Sequence, residues 1–179
     1  MLQVVVLLLV VILVSTSKAQ YFDKDMEPKP HLLYEPNAPD YTSAVPSLFD
    51  KLAVDPQLST FMDVLTQVGS VMQLVNNSEL QQPITIFCPV NAAFNHRTTD
   101  VARLDDFLRR HVVPSADLEP SDLKHSQTLD AMEGTIRVDY HLFSRKTTLN
   151  DIATVDTGHA IHATNGIAYK VDHTLSAKP

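Results

Sequence analysis

The sequence predicts an α+β domain with its helices early and its strands late. Three observations carry that expectation. Leu58, Phe61, Met62, Leu65, Val68 and Met72 recur at three- and four-residue steps, which places them on one helical face. After Gly134 the period drops to two: in TIRVDYHL, Ile136, Val138, Tyr140 and Leu142 alternate with Thr135, Arg137, Asp139 and His141, as in a half-buried strand. Short turns separate the later strand-like pieces, so the elements are segregated instead of alternating as in a parallel nucleotide-binding sheet. No internal repeat is visible, and the compact pattern from Val45 to Ser176 reads as a single module.

The chain begins with an apolar run, Val4 to Val14, followed by small and polar residues ending Ser17-Lys18-Ala19. Eleven apolar residues are short for a bilayer span, and the pattern reads as a secretory signal over 1–19, cleaved before Gln20. The competing reading is an uncleaved anchor. The last residues, 177–179, form a short tail without the apolar stretch that a glycolipid anchor needs. Residues 20–44 carry Pro28, Pro30, Pro36 and Pro39 among charges, with no apolar period, and read as an extended proline-rich arm. The expected product is soluble and extracellular, without a membrane anchor.

Within the compact region, Pro46-Ser47-Leu48-Phe49 opens a short helix through Leu52 and Ala53. A longer helix starts at Pro56, with Asp55 as its N-cap, and runs to the polar stretch Asn76-Asn77-Ser78. That stretch contains the glycosylation sequon, at Asn76. Ile84-Thr85-Ile86-Phe87-Cys88 is a buried strand closed by Pro89, and Asn91 to Phe94 is a helical turn that Asn91 is placed to cap. A further helix covers Val101 to His111, with Asp105 and Asp106 early and Arg109 and Arg110 late, as the helix dipole favours. Val112-Val113-Pro114 starts an extended piece. Thr147–Leu149 and Ile152–Val155 are short strands, and Ile167, Tyr169 and Val171 alternate in a closing strand after an Asn165-Gly166 turn.

The chemistry-bearing residues exclude more than they propose. The formal charge of −7 argues against broad binding to nucleic acid or anionic membranes, while leaving room for a local basic patch. Eight histidines are many for 179 residues. However, His159 and His162 fall on opposite faces of a strand and would converge only on a helical turn, and neither HExxH nor CxxC occurs, so no metal or other cofactor is expected. There is no nucleophile elbow or glycine-rich phosphate loop, and Asp105-Asp106 is a solvated pair in a first helical turn, so the chain is not read as an enzyme. The sole cysteine, Cys88, lies on the face of Ile84 and Ile86 and is expected to be buried. His111, at the end of an apolar stripe with Leu104, Phe107 and Leu108, is expected to bridge two segments through its two ring nitrogens.

Four segments together resemble the fasciclin-like (FAS1) domains. ITIFCPVNAAF (Ile84 to Phe94) resembles their first signature and HATNGIAYKVDHTL (His162 to Leu175) their second. FLRRHVVP and LDAMEG lie between them in the matching order. The residues matching the motifs are Thr85, Phe87, Pro89, Asn91, Phe94, His111, Thr164, Asn165, Gly166 and Asp172. The resemblance implies a FAS1-type wedge of two β-sheets with several packed helices. It also implies a secreted matrix or cell-adhesion glycoprotein whose partner is an extracellular protein, a matrix component or a cell-surface receptor. Integrin contacts in the family are attributed to a Tyr-His pair and to an acidic residue before Ala-Thr-Asn-Gly. Here Arg110 replaces the tyrosine and Ala160 stands where the acid is expected, which weakens integrin as the partner. Candidate partner contacts are Arg109, Arg110, His111, His159 and His162. The alternative function is a secreted carrier of a small apolar ligand held between helices and strands.

Overall fold

A computed structural model describes residues 45–96 and 103–175. The leader, the arm and the tail expected from the sequence lie outside these residues, as does Val101. Four α-helices and eight strands are present among the described residues: α1 (Leu48–Ala53), α2 (Ser59–Gln67), α3 (Gly69–Val75), β1 (Ile84–Pro89), α4 (Leu104–Arg109), β2 (Val112–Val113), β3 (Gln127–Asp130), β4 (Thr135–His141), β5 (Lys146–Leu149), β6 (Ala153–Val155), β7 (Ile161–Ala163) and β8 (Gly166–Val171). The fold class is α+β, as expected.

Helix α1 is set by a reciprocal cap. The Ser47 hydroxyl accepts from the Asp50 N–H, and the Asp50 carboxylate accepts from the Ser47 N–H at 2.9 Å. Leu48 and Leu52, one turn apart, are both buried. Asp55 accepts from the Gln57 N–H at 2.9 Å, which starts a 3-10 turn over Pro56–Leu58. The single long helix expected next is two. Val68 leaves the helical region (φ −115°, ψ 93°), so α2 ends at Gln67 and α3 begins at Gly69. The break changes which residues face inward. Val71 and Val75 take the buried positions, while Val68 and Met72 are only partly buried against the core.

Helix α4 is shorter than expected, because the His111 backbone belongs to the sheet. Its carbonyl accepts from the Phe87 N–H at 2.9 Å, while its own N–H closes a tight turn on Leu108. The strands hydrogen-bond in the order β2-β1-β8-β6-β5-β4-β3, with β7 on β8. Two sheets were expected, and two layers are joined here into one path. The link between β6 and β8 is a single residue pair, Val155 with Val171.

Strands β1 and β8 are parallel over six residue pairs, from Ile84–Gly166 to Pro89–Val171. Both are covered on both faces. Ile84, Ile86, Cys88 and Ala168 pack with the helices. Phe87, Ile167, Tyr169 and Val171 pack with the β3–β6 layer. The alternation in β8 therefore separates two cores and not a core from solvent. Strand β4 behaves as a half-buried strand through Val138, but Leu142 is expelled into the following turn and is exposed.

Candidate functional site

The motif residues form a set of locks around β1 and β8. Asn165 is fully buried. Its Oδ1 accepts from the Leu48 N–H at 2.8 Å, and its Nδ2 donates to the Val75 carbonyl at 2.7 Å. One side chain thus satisfies an orphan donor at the start of α1 and an orphan acceptor at the end of α3. The Asn165 carbonyl accepts from the Ile84 N–H at 2.9 Å, which starts the β1–β8 pairing. Gly166 follows with φ +143°, and a Cβ built there would stand 1.8 Å from the Ile84 carbonyl oxygen. Glycine is required by close approach as well as by conformation.

Thr85, buried in β1, donates to the Ala116 carbonyl at 2.8 Å and accepts from the Leu118 N–H at 3.0 Å, pinning the loop after β2. Phe87 pairs in register with Tyr169, their rings stacked with centroids 6.0 Å apart. Asn91 does not serve the turn it begins. Its Oδ1 accepts from the Thr60 N–H and its Nδ2 donates to the Pro56 carbonyl, so it ties down the start of α2, 31 residues away in sequence. A cap was the local expectation, but the nearest unsatisfied helical N–H lies across the fold. Pro89 ends β1, Phe94 packs against Phe107, and the Thr164 hydroxyl reaches the Pro46 carbonyl at 3.4 Å. Asp172 accepts from the Thr154 N–H at 2.6 Å, extending the contact between β8 and β6 by one residue beyond Val171.

His111 is wholly buried, and both ring nitrogens are used. Nδ1 donates to the Phe107 carbonyl at 2.7 Å, and Nε2 accepts from the Leu175 N–H at 3.0 Å. The ring lies 4.5 Å from that of Phe107, centroid to centroid. Burial first, and then the nearby Arg110 charge, hold its pKa down at about 4 against the Phe107 hydrogen bond, so the imidazole is neutral. It joins α4 to the end of the described chain, the bridging arrangement expected. With no exposed surface it offers nothing to a partner, so the contact candidates reduce to four.

Those four fall into separate patches. Arg109 and Arg110 sit at the end of α4, partly buried, with Arg109 at 4.0 Å from Asp105. His159 is exposed in the loop before β7, 3.0 Å from the Asp156 carboxylate. His162, on β7, is half-exposed and 4.0 Å from Glu119. Beside it an open depression of about 270 Å³ is lined by Val45, Pro46, Lys51, His162, Ala163 and Thr164. Its size falls short of the roughly 300–1,000 Å³ of small-molecule sites, and it is not enclosed. His141 bonds Thr148 and His173 bonds Asp172. Among the described residues no three histidine, cysteine or acidic side chains converge as metal ligands would.

Cys88 is free and buried. Burial, and secondarily the Asp55 charge, push its thiol pKa up, which suppresses the reactive thiolate. Asn76 is exposed at the end of α3, and its Oδ1 accepts from the Ser47 hydroxyl at 3.2 Å.

Several structural pairings carry no sequence signal. Thr147 is buried and donates to the Leu123 carbonyl at 2.9 Å. The Tyr169 hydroxyl donates to the Leu118 carbonyl at 2.5 Å. Lys170 bridges Asp55 and Gln57 at 3.1 and 3.0 Å, holding β8 to the start of the second helical segment. Each pairing spans more than 20 residues, so nothing local announces it.

The sequence matches the fasciclin domain family over residues 56–177. No curated protein matches it. Among solved structures, the fold is similar to a FAS1 domain pair from the insect cell adhesion molecule fasciclin I, with a TM-score of 0.58 and 18% sequence identity. The likeness covers 74% of this chain and 51% of that one, so this chain spans about half the length of the pair.

Proposed function

The chain belongs to the fasciclin domain family, and on that premise we propose that it is a secreted, non-catalytic extracellular matrix or cell-adhesion protein. In this reading it binds a macromolecular partner through its single fasciclin domain. The observation that carries the reading is the family match across 56–177, which takes in nearly all of the compact region. The similar solved structure comes from a cell adhesion molecule, which points the same way. The apolar leader over 1–19 supports secretion, and the exposed sequon at Asn76 supports a glycosylated product. Among the described residues no helix is long and apolar enough to cross a membrane.

The partner is an extracellular protein or matrix component. It meets the cationic positions Arg109 and Arg110 at the end of α4, or the patch of His159 and His162 by β7. A carboxylate-dependent integrin contact is not favoured, because Ala160 occupies the position where an acid would serve. The test applies the mature protein, labelled, to matrix-coated and bare surfaces, with and without chelator. Retention on matrix that survives chelation and weakens on Arg109→Ala with Arg110→Ala, or on His159→Ala with His162→Ala, supports the proposal. Equal retention on both surfaces, or a small-molecule adduct persisting in native mass spectra, counts against it.

A further inference from the structure

Leu142 and Phe143 are exposed to 78% and 107% of their reference areas, although both are large and apolar. They stand side by side at the apex of the β4–β5 hairpin. The last strand pair is His141 with Lys146, and Leu142 to Arg145 form a four-residue turn. Val45, Val54 and Ile152, the other exposed large apolar residues among those described, occur singly. Arg145 takes the left-handed conformation (φ 53°) that closes such a loop. Local packing gives no reason for a bare phenylalanine at this point.

The charges around the apex share one sign. Arg145 and Lys146 are both exposed at its base. The nearest carboxylates along the hairpin strands and the turn after β5, Asp139 and Asp151, are both engaged by Arg137. Thr148 is occupied by His141. A chain with a formal charge of −7 therefore carries a cationic, apolar tip.

We propose that the β4–β5 hairpin tip is a contact for anionic phospholipid surfaces, with Leu142 and Phe143 entering the headgroup boundary and Arg145 and Lys146 meeting the lipid phosphates. The shape favours a bilayer over a protein. The tip is convex and only two apolar residues wide, and the polar side chains behind it, His141 with Thr148 and Arg137 with Asp139 and Asp151, are paired among themselves. A stable protein interface needs about 800 Å² on each side with complementary packing. A deformable interface accepts a small apolar wedge and adds attraction for each nearby cation. The net negative charge of the rest of the molecule limits the attraction to groups within a Debye length of the lipid, so binding is reversible and sensitive to salt.

The experiment is vesicle co-sedimentation of the intact mature protein. One set of vesicles is phosphatidylcholine alone, and the other is phosphatidylcholine mixed with phosphatidylserine. The protein is expected to sediment with the mixed vesicles at low salt and to be released by added salt. Phe143→Ser is expected to weaken partitioning about tenfold. Arg145→Asn combined with Lys146→Gln is expected to do the same, asparagine being chosen because it tolerates the positive φ at 145. All three side chains are exposed, so unchanged thermal midpoints separate these effects from misfolding. Protein that stays in the supernatant with both vesicle types overturns the proposal. So does sedimentation indifferent to Phe143→Ser, or hairpin-dependent retention on a protein-coated surface without vesicle binding.

Discussion

Acidification should unload the His111 bridge, and its size follows from the environment of the ring. In the unfolded chain the imidazole has its ordinary pKa of 6.5, while in the folded domain burial lowers it to about 4. Below pH 6.5 the unfolded state therefore takes up a proton that the native state refuses, and stability falls as pH falls. The full contribution is present above about 6.5 and is lost by about 4. The loss is roughly 1.4 kcal/mol per pH unit across that interval, or about 3 kcal/mol in total. The structural reason is that protonation puts a hydrogen on Nε2, where the Leu175 N–H already donates, so a donor faces a donor. The assay is urea denaturation at a series of pH values from 7.5 to 4, followed by circular dichroism, for the wild-type domain and for His111→Gln. Glutamine keeps a donor and an acceptor but does not titrate. The variant starts less stable and should show a flatter pH profile over this interval. Parallel profiles for the two proteins would refute the reasoning. Asp55 and Asp172, whose carboxyl pKa values are lowered from 3.8, contribute stability that begins to be lost at about pH 5 and is lost mostly below about 4, in the wild type and the variant alike, so the comparison removes it.

Three further outcomes are expected. Gly166→Ala should destabilise the domain by at least about 3 kcal/mol, or abolish folding, because its Cβ would stand 1.8 Å from the Ile84 carbonyl oxygen; soluble yield and thermal midpoint report it. Asn165→Ala leaves the Leu48 N–H and the Val75 carbonyl without these partners and should cost about 2–5 kcal/mol in denaturant unfolding; a loss below 1 kcal/mol would show that water replaces both bonds. Cys88 should resist thiol-specific reagents in the native protein and react at the rate of global unfolding, since its side chain is buried and its thiolate suppressed; rapid labelling under native conditions would contradict that placement.

What was legible in the chain was legible for local reasons. The short helix opening at Pro46-Ser47, the Asp55 cap and the Val138 alternation depend on residues within a few positions of one another, and each formed as its pattern indicates. The misreadings have local causes as well. Val68 and Met72 continue the helical stripe in sequence, yet one residue leaving the helical region rotates the stripe onto Val71 and Val75. Leu142 continues the strand alternation, yet the hairpin turns one residue earlier and leaves it outside. Strands β3 (QTLD) and β7 (IHA) each hold one β-branched residue, whereas the equally short β5 (KTTL) and β6 (ATV) each hold two and could be read. The contact candidates were less legible still, because exposure is not written in residue type. His111, His159 and His162 are the same amino acid; the apolar stripe beside His111 marks it as a bridge, but only packing leaves it no surface for a partner and keeps the other two outside.

By itself the sequence determined the class of the fold, the burial of Ile84 to Cys88, and the turn at Asn165-Gly166 where the last strand begins. These follow from side-chain periodicity and from backbone freedom, which act over a few residues. Only the tertiary structure decided that β1 and β8 run parallel through the centre, that Asn91 caps a helix 31 residues away, and that Asn165 joins α1, α3 and β1 at one point. Those depend on which unsatisfied donors and acceptors meet once two cores have closed on either side of one strand pair. A buried polar group must find a partner wherever the fold brings one, and sequence distance does not enter that requirement.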